Sequence, residues 1–158
     1  MKLLVDTDVF CKLAVCELLP KAANLFGADL TECGRLPALQ YMLRKGRLRA
    51  IYGPDNCDAM IQIALKMRIV NQANEVWLDK LTPVHAIDIG EAQIFASGAE
   101  TGSLVMTGDK RALRALKDVA DFADALTGRI VVLEAILLLC ATSLGQMRCV
   151  NAFRFWQR

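Results

Sequence analysis

The stretch from Leu3 to Asp8 constrains the fold more than any other, because a short apolar run ends there on two carboxylates, Asp6 and Asp8. An uninterrupted apolar run of this length is typical of a strand that is buried on both faces, as strands of parallel sheets are. In open α/β sheets, ligands bind beyond the carboxyl ends of the strands. We therefore expect Asp6 to lie at a functional edge and the fold to bring other carboxylates to it.

A later stretch repeats this pattern of a buried strand followed by an acid, because residues 103–107 (SLVMT) precede Gly108 and Asp109. Residues 129–133 (RIVVL) are a third strand candidate, and residues 134–144 form a last helix. Apolar residues recur at helical spacing between the strands. Strands that alternate with helices indicate a parallel α/β sheet with right-handed crossovers.

Two of the predicted helices begin with acidic residues. The first is capped by Thr31, carries Glu32 in its first turn and continues to about residue 45, since negative charge near a helix start suits the helix dipole. The second is capped by Asp88, has Glu91 three residues later as in a capping box, and ends at Gly102. A further helix is predicted over residues 59–70.

Four acids therefore occupy positions from which they can meet. Asp6 and Asp109 follow strands, and Glu32 and Glu91 lie at helix starts. In a parallel sheet, strand ends and the helix starts that follow them lie at the same edge. A cluster of like charges is unfavourable unless a cation neutralises it, and Mg²⁺ takes oxygen ligands of this kind. Because such a metal lowers the pKa of bound water and steadies a phosphate leaving group, the pattern points to hydrolysis of a phosphodiester.

Three short motifs in the same order resemble those of the PIN domain family, whose members are metal-dependent ribonucleases and include many toxins of bacterial toxin–antitoxin pairs. The motifs are residues 3–8 (LLVDTD), 90–92 (GEA) and 104–110 (LVMTGDK), within a resemblance that covers about residues 2–145. The first acid of the family matches Asp6. Its third acid opens a helix of small residues roughly eighteen positions before its fourth, and Glu91 and Asp109 are eighteen residues apart.

The resemblance implies a three-layer α/β/α fold around a central, mostly parallel sheet of four to five strands. It implies that Asp6, Glu91 and Asp109 hold Mg²⁺ or Mn²⁺. The second acid of the family is best matched by Glu32, with Asp29 as a rival. The family commonly carries a further acid a few residues after the fourth, where this chain has residues 110–112 (KRA), so we expect a single metal.

The resemblance further implies an endoribonuclease with RNA as its substrate, and an antitoxin protein is a candidate partner. The high apolar content, 54% of the residues, and the aromatic tail at 151–158 suit a homodimer or a bound partner peptide. Basic residues either contact RNA phosphates or form solvated faces; they are Arg44, Lys45, Arg47, Arg49, Arg111 and Arg114. Each of the four candidate acids could instead have a purely structural role at a helix start. Asp8 is either a helix cap or a metal ligand.

Two other functions remain open at this stage. A haloacid dehalogenase-type phosphatase also ends its first strand on Asp-x-Asp, with the first acid, here Asp6, as the nucleophile. Its metal motif normally has another acid three or four residues after the position of Asp109, where this chain has Ala112 and Leu113. The third alternative is a PIN-like fold that serves as a non-catalytic interaction module.

Length and composition bound the remaining possibilities. A chain of 158 residues suits one domain, which we place at residues 1–150 with a tail at 151–158. Six cysteines without a C-x-x-C pair, and a single histidine, disfavour a zinc site. We expect reduced, mostly buried cysteines and a cytoplasmic location. The longest apolar run, residues 130–144, is too short and interrupted for a membrane span, so no membrane partner is expected.

Overall fold

Five parallel strands form the centre of the fold in the computed structural model, which describes residues 1–144. They are β1 (Leu3–Val5), β2 (Cys33–Arg35), β3 (Arg68–Ile69), β4 (Leu104–Thr107) and β5 (Ile130–Val132). Their order in the sheet is β3-β2-β1-β4-β5, and every neighbouring pair is parallel. All five strands therefore end at the same edge of the sheet, called the carboxyl edge below, and begin at the opposite amino edge.

Helices connect the strands and cover both faces of the sheet. Within the described residues they are α1 (Thr7–Val15), α2 (Leu19–Leu25), α3 (Ala38–Arg44), α4 (Arg47–Tyr52), α5 (Pro54–Ala64), α6 (Glu75–Leu81), α7 (Ile89–Thr101), α8 (Lys110–Leu116), α9 (Ala120–Leu126) and α10 (Leu133–Leu144). One core joins the sheet to α1, α2, α5 and α10, and a second joins it to α6, α7 and α9. The predicted three-layer α/β/α fold is confirmed.

Strand β1 is buried on both faces, as its apolar run predicts. Leu3 and Val5 belong to the first core and Leu4 to the second, and each is at most 1% exposed. Full burial of such a side chain contributes about 1.5–3 kcal/mol. The residue that ends this strand, Asp6, is thereby fixed between two cores, and its backbone amide donates to the Met106 carbonyl at 3.0 Å.

Helix α7 lies unusually close to the sheet. A Cβ atom added at Gly98 would lie 2.5 Å from the side chain of Val105 in β4, so glycine is required for this approach. The helix ends where Gly102 adopts a left-handed conformation with φ of +66°, as predicted. Close packing over β1 and β4 fixes the start of α7, and hence Glu91, at the carboxyl edge.

The predicted helix from Thr31 to about residue 45 is wrong in its first half. Residues Leu30–Glu32 form a 3-10 turn, Cys33–Arg35 form β2, and only Ala38–Arg44 are helical. A Cβ atom at Gly34 would approach the side chains of Leu4 and Val70 to 2.8 and 2.9 Å, so this strand depends on tertiary contacts. It carries no β-branched residue that would have indicated a strand.

The predicted helix over residues 59–70 is also too long at its end. Helix α5 stops at Ala64, and Arg68–Ile69 form the edge strand β3. The buried guanidinium of Arg35 donates from Nε to the Ala64 carbonyl at 2.8 Å, at the point where α5 ends. A cation at the end of a helix satisfies its free carbonyls and suits its dipole, so Arg35 stabilises this helix end.

The remaining composition-based expectations concern cysteines and membranes. Within the described residues no disulfide joins Cys11, Cys16, Cys33, Cys57 or Cys140, and all but Cys16 are buried. Among residues 1–144, no helix has the length and apolar character needed to cross a bilayer. Cys149, the end of the predicted domain at 145–150 and the tail at 151–158 lie outside the described residues.

Candidate functional site

A cleft of about 1900 Å³ opens at the carboxyl edge of the sheet. Every strand contributes the residues that follow its end: Asp6 after β1, Leu36 and Pro37 after β2, Val70 after β3, Asp109 after β4 and Glu134 after β5. The start of α7 adds Asp88 and Glu91. Ligands of open parallel sheets bind in this position, so the cleft is the candidate functional site.

Asp6 lies at the floor of the cleft. It occupies the position before α1, but its side chain makes no capping hydrogen bond to that helix. Only 8% of the residue is exposed. The alternative in which Asp6 merely caps α1 therefore lacks the expected contact.

Glu91 does have the local contact that its sequence pattern predicts. Its Oε2 accepts a hydrogen bond from the Asp88 backbone amide at 2.8 Å, and Oδ1 of Asp88 accepts one from the Glu91 amide at 2.8 Å. The predicted capping box is confirmed. Unlike most helix-start acids, Glu91 is also buried, with 7% exposed.

Asp109 caps α8 with one of its two oxygens. Its Oδ1 accepts hydrogen bonds from the backbone amides of Arg111 at 2.7 Å and Ala112 at 3.0 Å. These amides, led by that of Ala112, hold the pKa of Asp109 below its usual range. Its Oδ2 lies 3.8 Å from the Arg111 guanidinium. Of Asp6, Glu91 and Asp109, Asp109 therefore loses its proton at the lowest pH.

The three acids lie close enough to act on one another electrostatically. The pKa of Asp6 is raised to about 6, mainly by burial and also by the negative charges of Asp8, Asp88 and Asp109, while the Thr7 amide acts to lower it. The pKa of Glu91 is raised to about 7, again mainly by burial and also by the charges of Asp88, Asp109 and Asp6, while the Asp88 amide acts to lower it. The structure thus brings together the three acids that the motifs single out.

Glu32 does not join them, so the expectation that it lies at the same edge of the sheet as the other three acids is wrong. It precedes β2 and so lies at the amino edge, where its carboxylate forms an ion pair with Lys2 at 2.8 Å. Its rival Asp29 lies beside it, because the two residues form a second capping box around the 3-10 turn. Neither lines the cleft. The error follows from β2: the residue before a parallel strand lies at the edge opposite the one where that strand ends.

Three further acids line the cleft although the sequence motifs do not identify them as metal ligands. Asp8 lines the cleft but pairs with Lys12 one helical turn later at 2.7 Å. Glu134 lines it too, and pairs with Lys110 at 2.5 Å. Asp88 lines it as well, whereas the sequence predicts only that Asp88 caps α7. The signal that would have found Glu134 is its position just after a buried strand, which is the position of Asp109.

Basic residues also line the cleft. They are Arg47, Lys110, Arg111 and Arg114, and the single histidine, His85, lines it too. Helix α8 carries three of these cations directly after Asp109. A cleft lined by both acidic and basic side chains suits a ligand that is itself anionic and is bound together with a cation.

The donor atoms of the cleft fit a hard divalent cation, because they are carboxylate oxygens. Within residues 1–144, however, no three Asp, Glu, His or Cys side chains are already arranged as a group that would hold a metal ion. Oxygens of Glu91 and Asp109 are occupied as helix caps, which leaves the other oxygen of each for a ligand. Mg²⁺ binds through one or two carboxylates and keeps several waters. The donor chemistry thus fits Mg²⁺ or Mn²⁺ with water completing the coordination.

Comparison with known proteins adds no relative to this picture. No protein-family model, no curated protein and no solved structure matches the chain.

Proposed function

We propose that the protein is a metal-dependent endoribonuclease that hydrolyses RNA phosphodiester bonds in the cleft at the carboxyl edge. One observation carries the proposal: Asp6 and Glu91 are buried beside Asp109, and within residues 1–144 no lysine or arginine forms an ion pair with either buried acid. Buried charge without a partner is unfavourable in a purely structural role. Such groups cluster at functional sites, where a ligand supplies the missing charge.

Each acid has a defined place in the proposal. Asp6, Glu91 and Asp109 hold one Mg²⁺ or Mn²⁺ ion, and Glu32 takes no part. The bound ion supplies a more acidic water and offsets charge on the phosphate. Arg47, Arg111 and Arg114, which line the cleft, bind the RNA phosphates and orient them toward the acids. Strand β1 and helix α7, both packed in the cores, keep Asp6 and Glu91 in position.

The wider assignment rests on the sequence motifs. Membership of the PIN family, a toxin role, an antitoxin partner and a homodimer are all part of the proposal. The three motifs in order support the family, and the meeting of Asp6, Glu91 and Asp109 at one edge supports the relevance of the motifs. Cysteines that form no disulfide within residues 1–144 support the cytoplasmic location.

Cleavage of a labelled RNA with defined product ends tests the proposal. We expect cleavage with Mg²⁺ or Mn²⁺, loss of cleavage in EDTA and recovery when the metal is added back. Because water is the proposed nucleophile, products should carry a phosphomonoester end, and a 2′-O-methyl group at the scissile position should not block the reaction. Asp109→Asn should remove the activity while Glu32→Gln keeps it.

Three outcomes would contradict the proposal. Cleavage that persists in EDTA would exclude the metal requirement. A 2′,3′-cyclic phosphate product would show attack by the RNA itself rather than by water. Phosphate release from para-nitrophenyl phosphate, with a phosphoryl group trapped on Asp6, would identify a phosphatase instead.

A further inference from the structure

A second groove lies on α3 and adjoins the cleft. It is lined by Pro37, Gln40, Tyr41, Arg44 and Lys45. Pro37 lines both the groove and the cleft. Met42 of the same helix and Arg47 at the start of α4 also line the cleft. A chain-like ligand that leaves the acidic site over Pro37 therefore meets the groove next.

The charge of the groove is uncompensated. Within the described residues, Arg44, Lys45 and Arg47 form no ion pair, whereas Arg49, only two positions further on, pairs with Asp58 at 2.7 Å. Arg44 and Lys45 lie at the end of α3, where positive charge suits the helix dipole. This stabilisation does not depend on the groove, and it leaves the hydrogen-bond donors of Arg44 without an acceptor among residues 1–144. The donors remain available to an anionic ligand.

Tyr41 adds an aromatic surface to this groove. It is 67% exposed and is the sole exposed aromatic residue in the part of the chain that the structure describes. The other aromatic residues there are buried or half-buried, as in the edge-on contact of Trp77 with Phe122. An exposed ring beside cations is an arrangement that binds unpaired nucleic-acid bases by stacking and their phosphates by charge.

We propose that the groove on α3 is a second RNA-binding subsite that holds a single-stranded extension of the substrate, with a base stacked on Tyr41 and phosphates bound by Arg44 and Lys45. This inference rests on the proposed function and adds a preference for unpaired RNA. Bases in a duplex are already stacked on each other, so a duplex cannot use the ring of Tyr41 in this way.

Binding measured in EDTA tests the subsite separately from cleavage. Fluorescence anisotropy of oligouridylates with the full chain compares a strand of about 4 nucleotides with one of about 12, lengths that bracket the usual size of such sites. Tyr41→Ala should weaken binding of the longer strand about 10-fold, because loss of one stacked base has about this effect. Tyr41→Phe should bind as the wild type does, because stacking needs the ring and not the hydroxyl. The shorter strand should be much less sensitive to either change.

The contribution of Arg44 and Lys45 to RNA binding can be compared with that of two other exposed cations in the same chain. Arg44→Gln combined with Lys45→Gln should lower the slope of log affinity against log salt by about 1.4, or about 0.7 for each lost contact on a single strand. Lys66→Gln combined with Arg68→Gln removes the same charge near the start of β3, where both residues are exposed and line neither groove nor cleft. This control should leave the slope nearly unchanged. Equal thermal midpoints for all variants would show that they are folded.

The outcomes separate the subsite from the nuclease. Equal effects of the two double variants, or equal affinity for a duplex of the same length, would overturn the subsite. Competition by polyglutamate that depends on Tyr41 would also overturn it, by showing a site for an acidic peptide. Cleavage without any effect of the α3 variants would retain the nuclease and remove the subsite. Binding that depends on Tyr41 without metal-dependent cleavage would retain the subsite and remove the nuclease.

Discussion

The fold contains two capping boxes of the same type in opposite electrostatic settings. In each, an aspartate accepts from a backbone amide three residues later, and a glutamate there accepts from the amide of the aspartate: Asp29 with Glu32, and Asp88 with Glu91. At the amino edge, Lys2 holds the pKa of Glu32 below its usual range. At the carboxyl edge, burial raises the pKa of Glu91 to about 7.

The comparison shows that local sequence sets the cap, while strand topology sets its surroundings. The Asp29 box precedes a strand and is solvated, so its charges are satisfied by Lys2 and Thr31. The Asp88 box lies where five strands end, and it adds charge to a site that already holds Asp6 and Asp109. The first box stabilises the fold. The second also satisfies backbone amides of α7, but burial disfavours the ionised form of its Glu91.

The largest expected difference is in catalysis. Asp6→Asn should lower the rate of RNA cleavage at least about 100-fold. Substituting even a residue that only supports a metal ligand often lowers metal affinity or activity about 10–100-fold. Glu32→Gln, which alters the equivalent acid of the solvated box, should leave the rate within about 2-fold of wild type, the range expected of a surface change away from the chemistry. Single-turnover rates with equal circular dichroism spectra would measure this. Equal losses in the two variants would break the distinction between the edges.

The next effect is on stability without metal. Asp6→Asn should stabilise the metal-free protein at pH 7, because burial and neighbouring charges raise the pKa of Asp6 from 3.8 to about 6. A shift of this size corresponds to on the order of 1–3 kcal/mol in the free energy of unfolding. Urea denaturation in EDTA measures it. A less stable Asp6→Asn variant would indicate that Asp6 is a structural hydrogen-bonding residue.

The same shift predicts a pH dependence. Between the unfolded values of 3.8 and 4.5 for Asp6 and Glu91 and their folded values of about 6 and about 7, the folded protein binds more protons than the unfolded chain. The free energy of unfolding of the metal-free protein should therefore fall as pH rises from about 4 to about 7. Asp6→Asn should flatten this fall when urea midpoints are compared across the range. A rise instead would mean that these acids gain partners on folding.

The smallest effect belongs to the amino edge. Lys2→Ala removes the ion pair with Glu32, in which the Lys2 side chain is 58% exposed. Exposed pairs contribute little and are screened by salt. We expect a slight loss of thermal stability at low salt that disappears at high salt, and no change in cleavage. A loss of metal-dependent cleavage in this variant would place the Asp29 box in the functional site after all.

The parts of the fold that sequence predicts are those with strong local signals. Strands β1, β4 and β5 are apolar runs, and α7 has a capping box at its start and Gly102 after its end. These elements carry Asp6, Asp109 and Glu91, which is why three of the four predicted acids meet in the cleft. The motifs indicated their common edge because parallel strands end together.

The parts that sequence missed depend on distant contacts. Strand β2 consists of Cys33, Gly34 and Arg35, a set with low strand propensity. Its glycine is needed because β1 and Val70 lie close, and its arginine is buried because α5 ends beside it. None of these neighbours is close in sequence. The error at Glu32 is a direct result, since an unrecognised strand reverses the edge to which its flanking acid is assigned.

Calorimetric titration of Mn²⁺ into the metal-free protein at pH 7 tests the central claim most directly. We predict saturable binding with a stoichiometry near one, present in wild type and Glu32→Gln but absent in Asp6→Asn. Because ionised carboxylates bind the metal, the observed heat should depend on the ionisation enthalpy of the buffer as protons leave Asp6 and Glu91. Absence of heat in the wild type, or equal binding in Asp6→Asn, would contradict a metal site at the carboxyl edge.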